Sequence, residues 1–391
     1  MKTPALLALL ASSYGLAVPA PESCDRTSAA AAADTDNSPC QLPEGDFVIR
    51  RRKLYPENID FDEQSCTLWT GALYEAKLVA INVMDGLQKG ENITGIYTDE
   101  TGKNITIEGE EMHASGIQVS QDRRKVWSIL NAGAPFDTQG NDTEGPNFIM
   151  QYDMEKGVQD WVVDLNKKSG QGIRGFQDVE WDADGNVYAL SSFPGSLVKI
   201  PIDDHDKAAE YWVSEQSPRP KGEQTPKGIT GLARLNGTAL LVVNQADGKV
   251  WLYQMGEAAN PVPVPVTGGD GDGDGARVFE SSDGAYLPPK YKGRVLLIPD
   301  QKKGTAVVVS NDGWATGRKL GTVPKATYPG EQGYTTASVE MMGRLFSLTT
   351  FFFDAKTPGT AGDREEFPLT DITKPVQDMV DNQLGDGGDA R

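Results

Sequence analysis

Six short segments of this chain open on polar side chains that could do acid–base or hydrogen-bonding chemistry. They are Glu57-Asn58-Ile59-Asp60-Phe61-Asp62, Ser115-Gly116-Ile117-Gln118-Val119-Ser120, Gln177-Asp178-Val179-Glu180-Trp181-Asp182, Ile229-Thr230-Gly231-Leu232, Ser282-Asp283-Gly284-Ala285-Tyr286 and Thr336-Ala337-Ser338-Val339-Glu340-Met341. A carboxylate whose burial raises its pKa can serve as a general base near neutral pH, and Asp178 and Asp283 are the candidates. Asn58 is a candidate for hydrogen bonding to a reacting group, with Gln177, Asn244 and Thr336 donating or accepting nearby. Glu57, His113 and Thr230 stand in the same approach segments, and Trp69, Phe193 and Phe351 can wall a pocket. Oxygen donors and amides mixed with aromatic rings suit a small, partly apolar ligand. The competing reading of the Asp pair is a turn or strand cap in each repeat.

These residues need a scaffold that brings six segments to one place. With Ile59, Ile117, Val179, Leu232, Ala285 and Val339 as anchors, the intervals are 58, 62, 53, 53 and 54 residues. The third unit shows the local grammar. Asp178-Val179-Glu180-Trp181 alternates, Asp182-Ala183-Asp184-Gly185-Asn186 turns, and Val187-Tyr188-Ala189-Leu190 returns, which reads as a hairpin. With 43 glycines and 24 prolines the chain is cut into short pieces, and few stretches carry a 3.6-residue period. Six similar units of about four strands predict an all-β fold, a six-bladed β-propeller over residues 46–371. A two-sheet sandwich would not require six evenly spaced units. A ring must close or leave strand edges unpaired, and Phe47-Val48-Ile49-Arg50 is the segment expected to complete the sixth blade. The loops leading into the innermost strands then meet at one mouth of the axis.

The remaining segments bear on compartment. Residues 1–20, with Lys2, a short apolar run and Ala17-Val18-Pro19-Ala20, read as a secretory signal peptide. Residues 21–45 read as a flexible leader, and residues 372–391 as an acidic C-terminal tail. No later stretch is long and apolar enough to be expected to span a bilayer. Four glycosylation sequons occur, at Asn92, Asn104, Asn141 and Asn236. Three cysteines allow one bridge; Cys40–Cys66 is favoured, with Cys24–Cys40 the alternative. A net charge of −19 argues against nucleic acid as a partner. Asp270-Gly271-Asp272-Gly273-Asp274-Gly275 resembles the start of a calcium loop, but the acid at Glu280 falls one residue early and no helical pattern flanks it. Two histidines do not build a metal cluster, and neither a Gly-x-Ser-x-Gly elbow nor a phosphate loop is present.

The blade pattern resembles the gluconolactonase/regucalcin superfamily of six-bladed, calcium-dependent lactonases. Glu57 and Asp283-Gly284 match the two carboxylates of that superfamily's metal site, whereas its middle Asn-Gly is replaced by Ile229-Thr230-Gly231. Leu54-Tyr55-Pro56-Glu57-Asn58-Ile59-Asp60-Phe61-Asp62, the cysteine that follows and Trp69-Thr70-Gly71-Ala72-Leu73-Tyr74 resemble another group over about residues 45–370. This group is the secreted fungal propeller proteins of secondary-metabolite clusters, of the core trichothecene cluster protein fourteen type. The hetero-Diels–Alderases of tropolone sesquiterpene pathways are similar in design. That resemblance implies cyclisation of a small terpenoid or polyketide intermediate without a redox cofactor, calcium being the one ion left open. A calcium-dependent lactonase and a non-catalytic small-molecule binder stay open beside it.

Overall fold

The structure, a computed structural model, describes residues 40–84, 112–215, 218–256, 259–268, 277–328, 331–357 and 360–385. The proposed signal peptide, Cys24, Asn92, Asn104 and the acidic glycine run at 270–275 lie outside the described residues. The described strands form six small sheets. Blade one holds β2 (Ile59–Asp62), β3 (Thr67–Ala72) and β4 (Lys77–Asn82). Blade two holds β5 (Met112–Ser120), β6 (Lys125–Ala132), β7 (Asn147–Asp153) and β8 (Val158–Asp164). Blade three holds β9 (Arg174–Trp181), β10 (Val187–Phe193), β11 (Ser196–Ile200) and β12 (Ala209–Val213). Blade four holds β13 (Ile229–Leu235), β14 (Ala239–Asn244), β15 (Lys249–Gln254) and β16 (Val262–Pro263).

Blade five is the irregular one. Its sheet runs β17 (Val266–Thr267), β20 (Gly317–Pro324), β19 (Gly304–Val309) and β18 (Val295–Asp300), with β17 parallel to β20. The segment expected to be its inner strand is reduced to two bridges, Ser282 with Asp300 and Tyr286 with Leu297. Blade six contains β21 (Tyr334–Met341), β22 (Arg344–Thr350) and β23 (Glu366–Asp371). The segment β1 (Phe47–Arg50) pairs antiparallel with β23, as the outermost strand of that sheet.

Strand alternation explains how the blades stack. Successive side chains point to opposite faces, so each blade is apolar on both sides. In β18, Leu296 and Ile298 pack toward blade four while Val295 and Leu297 pack toward blade six. Among the described residues six apolar clusters result, one at each interface between neighbouring blades. Each fully buried Leu, Ile or Val in them contributes about 1.5–3 kcal/mol.

An innermost strand has no neighbour on its axial edge, and its amides there need acceptors. The preceding blade supplies them. Asp60 Oδ2 accepts from Val119 N at 2.7 Å, Asp178 Oδ2 from Leu232 N at 2.7 Å, and Glu180 Oε1 from Arg234 N at 3.0 Å. The Tyr286 hydroxyl oxygen accepts from Glu340 N at 3.0 Å. The close approach of the inner strands also fixes glycines: a Cβ at Gly116 would lie 2.6 Å from the Gln177 carbonyl oxygen.

Two terminal expectations are corrected. The end of the leader is anchored: Cys40 is buried in the cluster between blades six and one, and Arg344 binds the carbonyls of Pro43 and Gly45. The tail does not hang free either. Its helix α2 (Thr373–Gly385) lays Val376, Met379 and Val380 on the cluster between blades five and six. That i, i+3, i+4 spacing puts all three on one helix face.

Candidate functional site

The inner strands of four blades carry a register shift near their start. It lies between Ala114 and Ile117, opposite Gln177 in β9, between Ile229 and Gly231, and between Thr335 and Ala337. Such bulges re-aim side chains and here fall beside the mouth of the axis. A cavity of about 490 Å³ opens there. Its polar residues include Glu57, His113, Lys227, Asp283 and Gln301, and its walls include Tyr74, Phe136, Phe193 and Tyr334.

Glu57 and Asp283 form the charged centre. Lys227 Nζ lies 3.8 Å from Asp283 Oδ1, and the Gln301 side chain hydrogen bonds to the same carboxylate. Asp283 Oδ2 is buried and has no hydrogen-bond partner among the described residues. Glu57 is partly open to the cavity, yet desolvation, reinforced by the Asp283 carboxylate, pushes its pKa up to about 8 against the opposing pull of Lys227. Burial also raises Asp283, with Lys227 and Gln301 acting the other way. Two like charges so placed do not both ionise freely near neutral pH, so the pair holds a proton there. Lys227 also stands 5.7 Å from the centre of the Phe136 ring, which the α1 turn (Ala134–Asp137) presents.

His113 enters from β5 with its ring edge-on to Tyr74 at 5.2 Å. A Cβ on Gly133 would sit 2.7 Å from His113 Nε2 and 3.0 Å from Asp137 Oδ2, so both groups close on that glycine. Gln177 spans the floor, its Nε2 donating to the carbonyls of Thr230 at 2.6 Å and Asp283 at 3.1 Å. Phe193 is buried against Phe136 at 5.4 Å.

The structure thus brings Glu57, His113, Phe193 and Asp283 to the cavity, with Gln177 beneath them. It assigns the other candidates elsewhere. Asp178 is a staple between blades: its oxygens accept from Val179 N at 2.8 Å and Leu232 N at 2.7 Å, and burial pushes its pKa up to about 7. The Asn58 side chain accepts from Ile59 N and caps the start of β2. Thr230 bonds the Ser282 hydroxyl, Thr336 bonds the Thr350 hydroxyl, and Asn244 caps the following turn through Ala246 N. Trp69 packs on Tyr152 between blades one and two, and Phe351 is buried beneath the Arg364 guanidinium. Strand alternation turns Trp69 toward the neighbouring blade, and Phe351, just past the end of β22, packs into the cluster between blades six and one.

Cys40 and Cys66 lie in one cluster, with a hydrogen bond between their side chains. Burial first, then Cys66, pushes the Cys40 thiol up to about 12. Asn141 and Asn236 are exposed, as sequons must be to carry glycan.

The donor set does not fit the calcium ion of the gluconolactonase pattern. A hard cation takes six to eight oxygens, several of them charged. Here three carboxylates, Glu57, Asp137 and Asp283, line the cavity, and the Lys227 ammonium already stands 3.8 Å from Asp283 Oδ1, where a cation would have to sit. Among the described residues no group of three or more His, Cys, Asp or Glu is arranged to hold a metal.

Fold and site together define a six-bladed propeller with a lysine-balanced carboxylate pair in an aromatic-walled axial mouth. No family model matches the chain. It is similar to trichothecene biosynthesis protein 14 of Trichoderma arundinaceum, 26% identical over 355 residues, covering 88% of this chain and 92% of the relative. It is also similar to core trichothecene cluster protein 14 of Fusarium sporotrichioides, 22% identical over 356 residues, covering 88% and 89% respectively. Among solved structures, the major allergen Mala s 1 of Malassezia sympodialis superposes with a TM-score of 0.64 at 18% identity, covering 85% of this chain and 96% of the allergen. That likeness establishes the propeller fold.

Proposed function

We propose that the chain is a biosynthetic enzyme of the secretory pathway that closes a ring in a small terpenoid or polyketide intermediate, without a redox cofactor. The observation that carries the reading is the Glu57–Asp283 pair, set beside Lys227 within aromatic walls. The names of the two trichothecene-cluster relatives support a secondary-metabolite substrate.

Glu57, protonated near neutral pH, hydrogen bonds to a carbonyl or ether oxygen of the substrate and stabilises charge growing there. In a stepwise closure it gives its proton to that oxygen, while Asp283 takes one from the attacking hydroxyl or the carbon losing hydrogen. One proton leaves the pair and one returns, and exchange between the two carboxyl groups restores the starting state. In a concerted closure the hydrogen bond alone suffices, and the aromatic walls hold the reacting ends together. Lys227 keeps Asp283 from remaining neutral when Glu57 holds the proton.

The same pair would open a lactone if water were the nucleophile; the aromatic lining favours closure because it keeps water from the reacting atoms. Incubating the purified protein with intermediates made by enzymes of neighbouring genes tests the reading. Faster closure, altered stereochemistry and indifference to EDTA are expected. A product rate and stereochemistry equal to the uncatalysed reaction would remove it, and activity lost to EDTA and restored by calcium would favour the lactonase.

A further inference from the structure

The opposite ends of the inner strands enclose a second cavity, of about 770 Å³. The residue following the repeat anchor faces it in five blades: Asp60, Gln118, Glu180, Tyr286 and Glu340. Most of their oxygens are committed. Asp60 accepts from Phe61 N at 2.8 Å and Val119 N at 2.7 Å, and Glu340 Oε2 accepts from Lys290 N at 2.9 Å. Glu180 spends Oε1 on Arg234 N, but its Oε2 is buried without a partner although the residue is only 5% exposed. The Arg234 guanidinium does not fill that role. It lies 4.4 Å over the Trp181 ring, pulls on Glu180 only through space, and leaves its own Nε buried without a hydrogen-bond partner among the described residues.

Burial, reinforced by Asp178, holds Glu180 well above the usual carboxylate range, so its unmatched Oε2 ionises only when a cation is seated against it, and until then the buried group is left without a partner among the described residues. The lining supplies acceptors in excess, five acidic side chains against three basic ones, beside the apolar surfaces of Trp314 and Leu287. The complementary head group carries donors only and sits on a hydrocarbon body. We propose that this mouth is a second binding site for a small organic ammonium ion, its N–H groups on Glu180 Oε2 and its body against Trp314. Glu180 lies beyond the Gln177 floor of the first cavity, so the two sites are distinct.

The test is calorimetric titration of the purified full chain with benzylammonium and 1-naphthylmethylammonium, using the corresponding neutral alcohols as controls. The ammonium ions should bind at one site about tenfold or more tighter than the alcohols, the range of a charge-assisted hydrogen bond. Glu180→Gln keeps the acceptor for Arg234 N and should bring the two within about threefold, while Glu57→Gln should leave the preference intact. Equal binding of amine and alcohol, a preference that survives Glu180→Gln, or one lost in Glu57→Gln would each overturn the proposal. Should Glu180→Gln fail to fold, the indole NMR signal of Trp314 in the unsubstituted protein decides. It is expected to shift on titration with the ammonium ions and not with the alcohols; an unmoved signal overturns the site.

Discussion

Asp178 and Asp283 occupy neighbouring registers of equivalent segments, yet Asp178 faces backbone amides and Asp283 faces the cavity, and paired substitutions separate the two roles proposed for them. Asp178→Ala strands two buried amides, Val179 N and Leu232 N, now bonded at 2.8 and 2.7 Å. Each orphaned donor costs about 1–3 kcal/mol, so about 4 kcal/mol of stability should be lost at pH 4. The loss depends on pH with a definite sign. Asp178 has a folded pKa of about 7, above the 3.8 expected unfolded, so its contribution is full below pH 4 and fades as pH rises to 7. Removing the side chain removes that fading too. At about 1.4 kcal/mol per unit, most of the deficit should disappear by pH 7. Asp283→Asn leaves no amide stranded, since Oδ2 has no partner, and should change stability by less than about 1 kcal/mol at pH 5 while abolishing ring closure. Urea unfolding followed by tryptophan fluorescence, repeated from pH 4 to 7, measures both. An Asp178→Ala cost under about 1 kcal/mol at pH 4, or a larger loss from Asp283→Asn than from Asp178→Ala, would refute this division of roles.

Other consequences follow from burial and charge. Glu57, Asp60 and Asp178 are raised to about 8, 7 and 7, so their stabilisation fades as pH climbs toward those values. Asp62, held down by Arg124, and Asp300, held down by backbone amides, lose theirs below about pH 3.8. Thermal melts should therefore peak between about pH 4 and 5.5, and a maximum above pH 7 would contradict this balance. Val376→Ala trims a fully buried side chain of α2 and should cost about 1–2 kcal/mol, whereas an appendage would show no change on unfolding. Oxidation should join the adjacent Cys40 and Cys66 and add about 3 kcal/mol; peptide mapping without reductant checks the pairing, and a Cys24–Cys40 peptide would contradict it. Protein exported from a fungal host should begin after Ala20 and carry glycan at Asn141 and Asn236, which mass spectrometry before and after deglycosylation reads directly.

The repeat made the blades legible because strand alternation and turn chemistry recur at nearly constant spacing. It also pointed to Glu57, Gln177 and Asp283, which stand two residues before their anchors. What it did not reveal is which register faces which surface, because the bulges displace that assignment by a residue at the very point that matters. Asp178 and Asn58, one position nearer their anchors, turn to backbone amides instead of the cavity. Lys227, Tyr74 and Asp137 were missed because they lie in irregular connections outside the repeat, where sequence carries no register. The apolar spacing of Val376, Met379 and Val380 was available, but the acidic composition around it obscured the helix. Blade five hid its reduced inner strand behind an ordinary-looking Ser-Asp-Gly turn.

The central claim is that a proton held by the Glu57–Asp283 pair drives ring closure in the axial mouth. Single-turnover product formation by Glu57→Gln, compared with the unsubstituted protein from pH 5 to 9, tests it most directly. The amide matches the protonated acid in shape but cannot give up a proton. The rate should fall about 10²- to 10⁴-fold, and the decline of the unsubstituted enzyme near pH 8 should vanish. A Glu57→Gln rate within threefold of the original, with that decline still present, would contradict the claim.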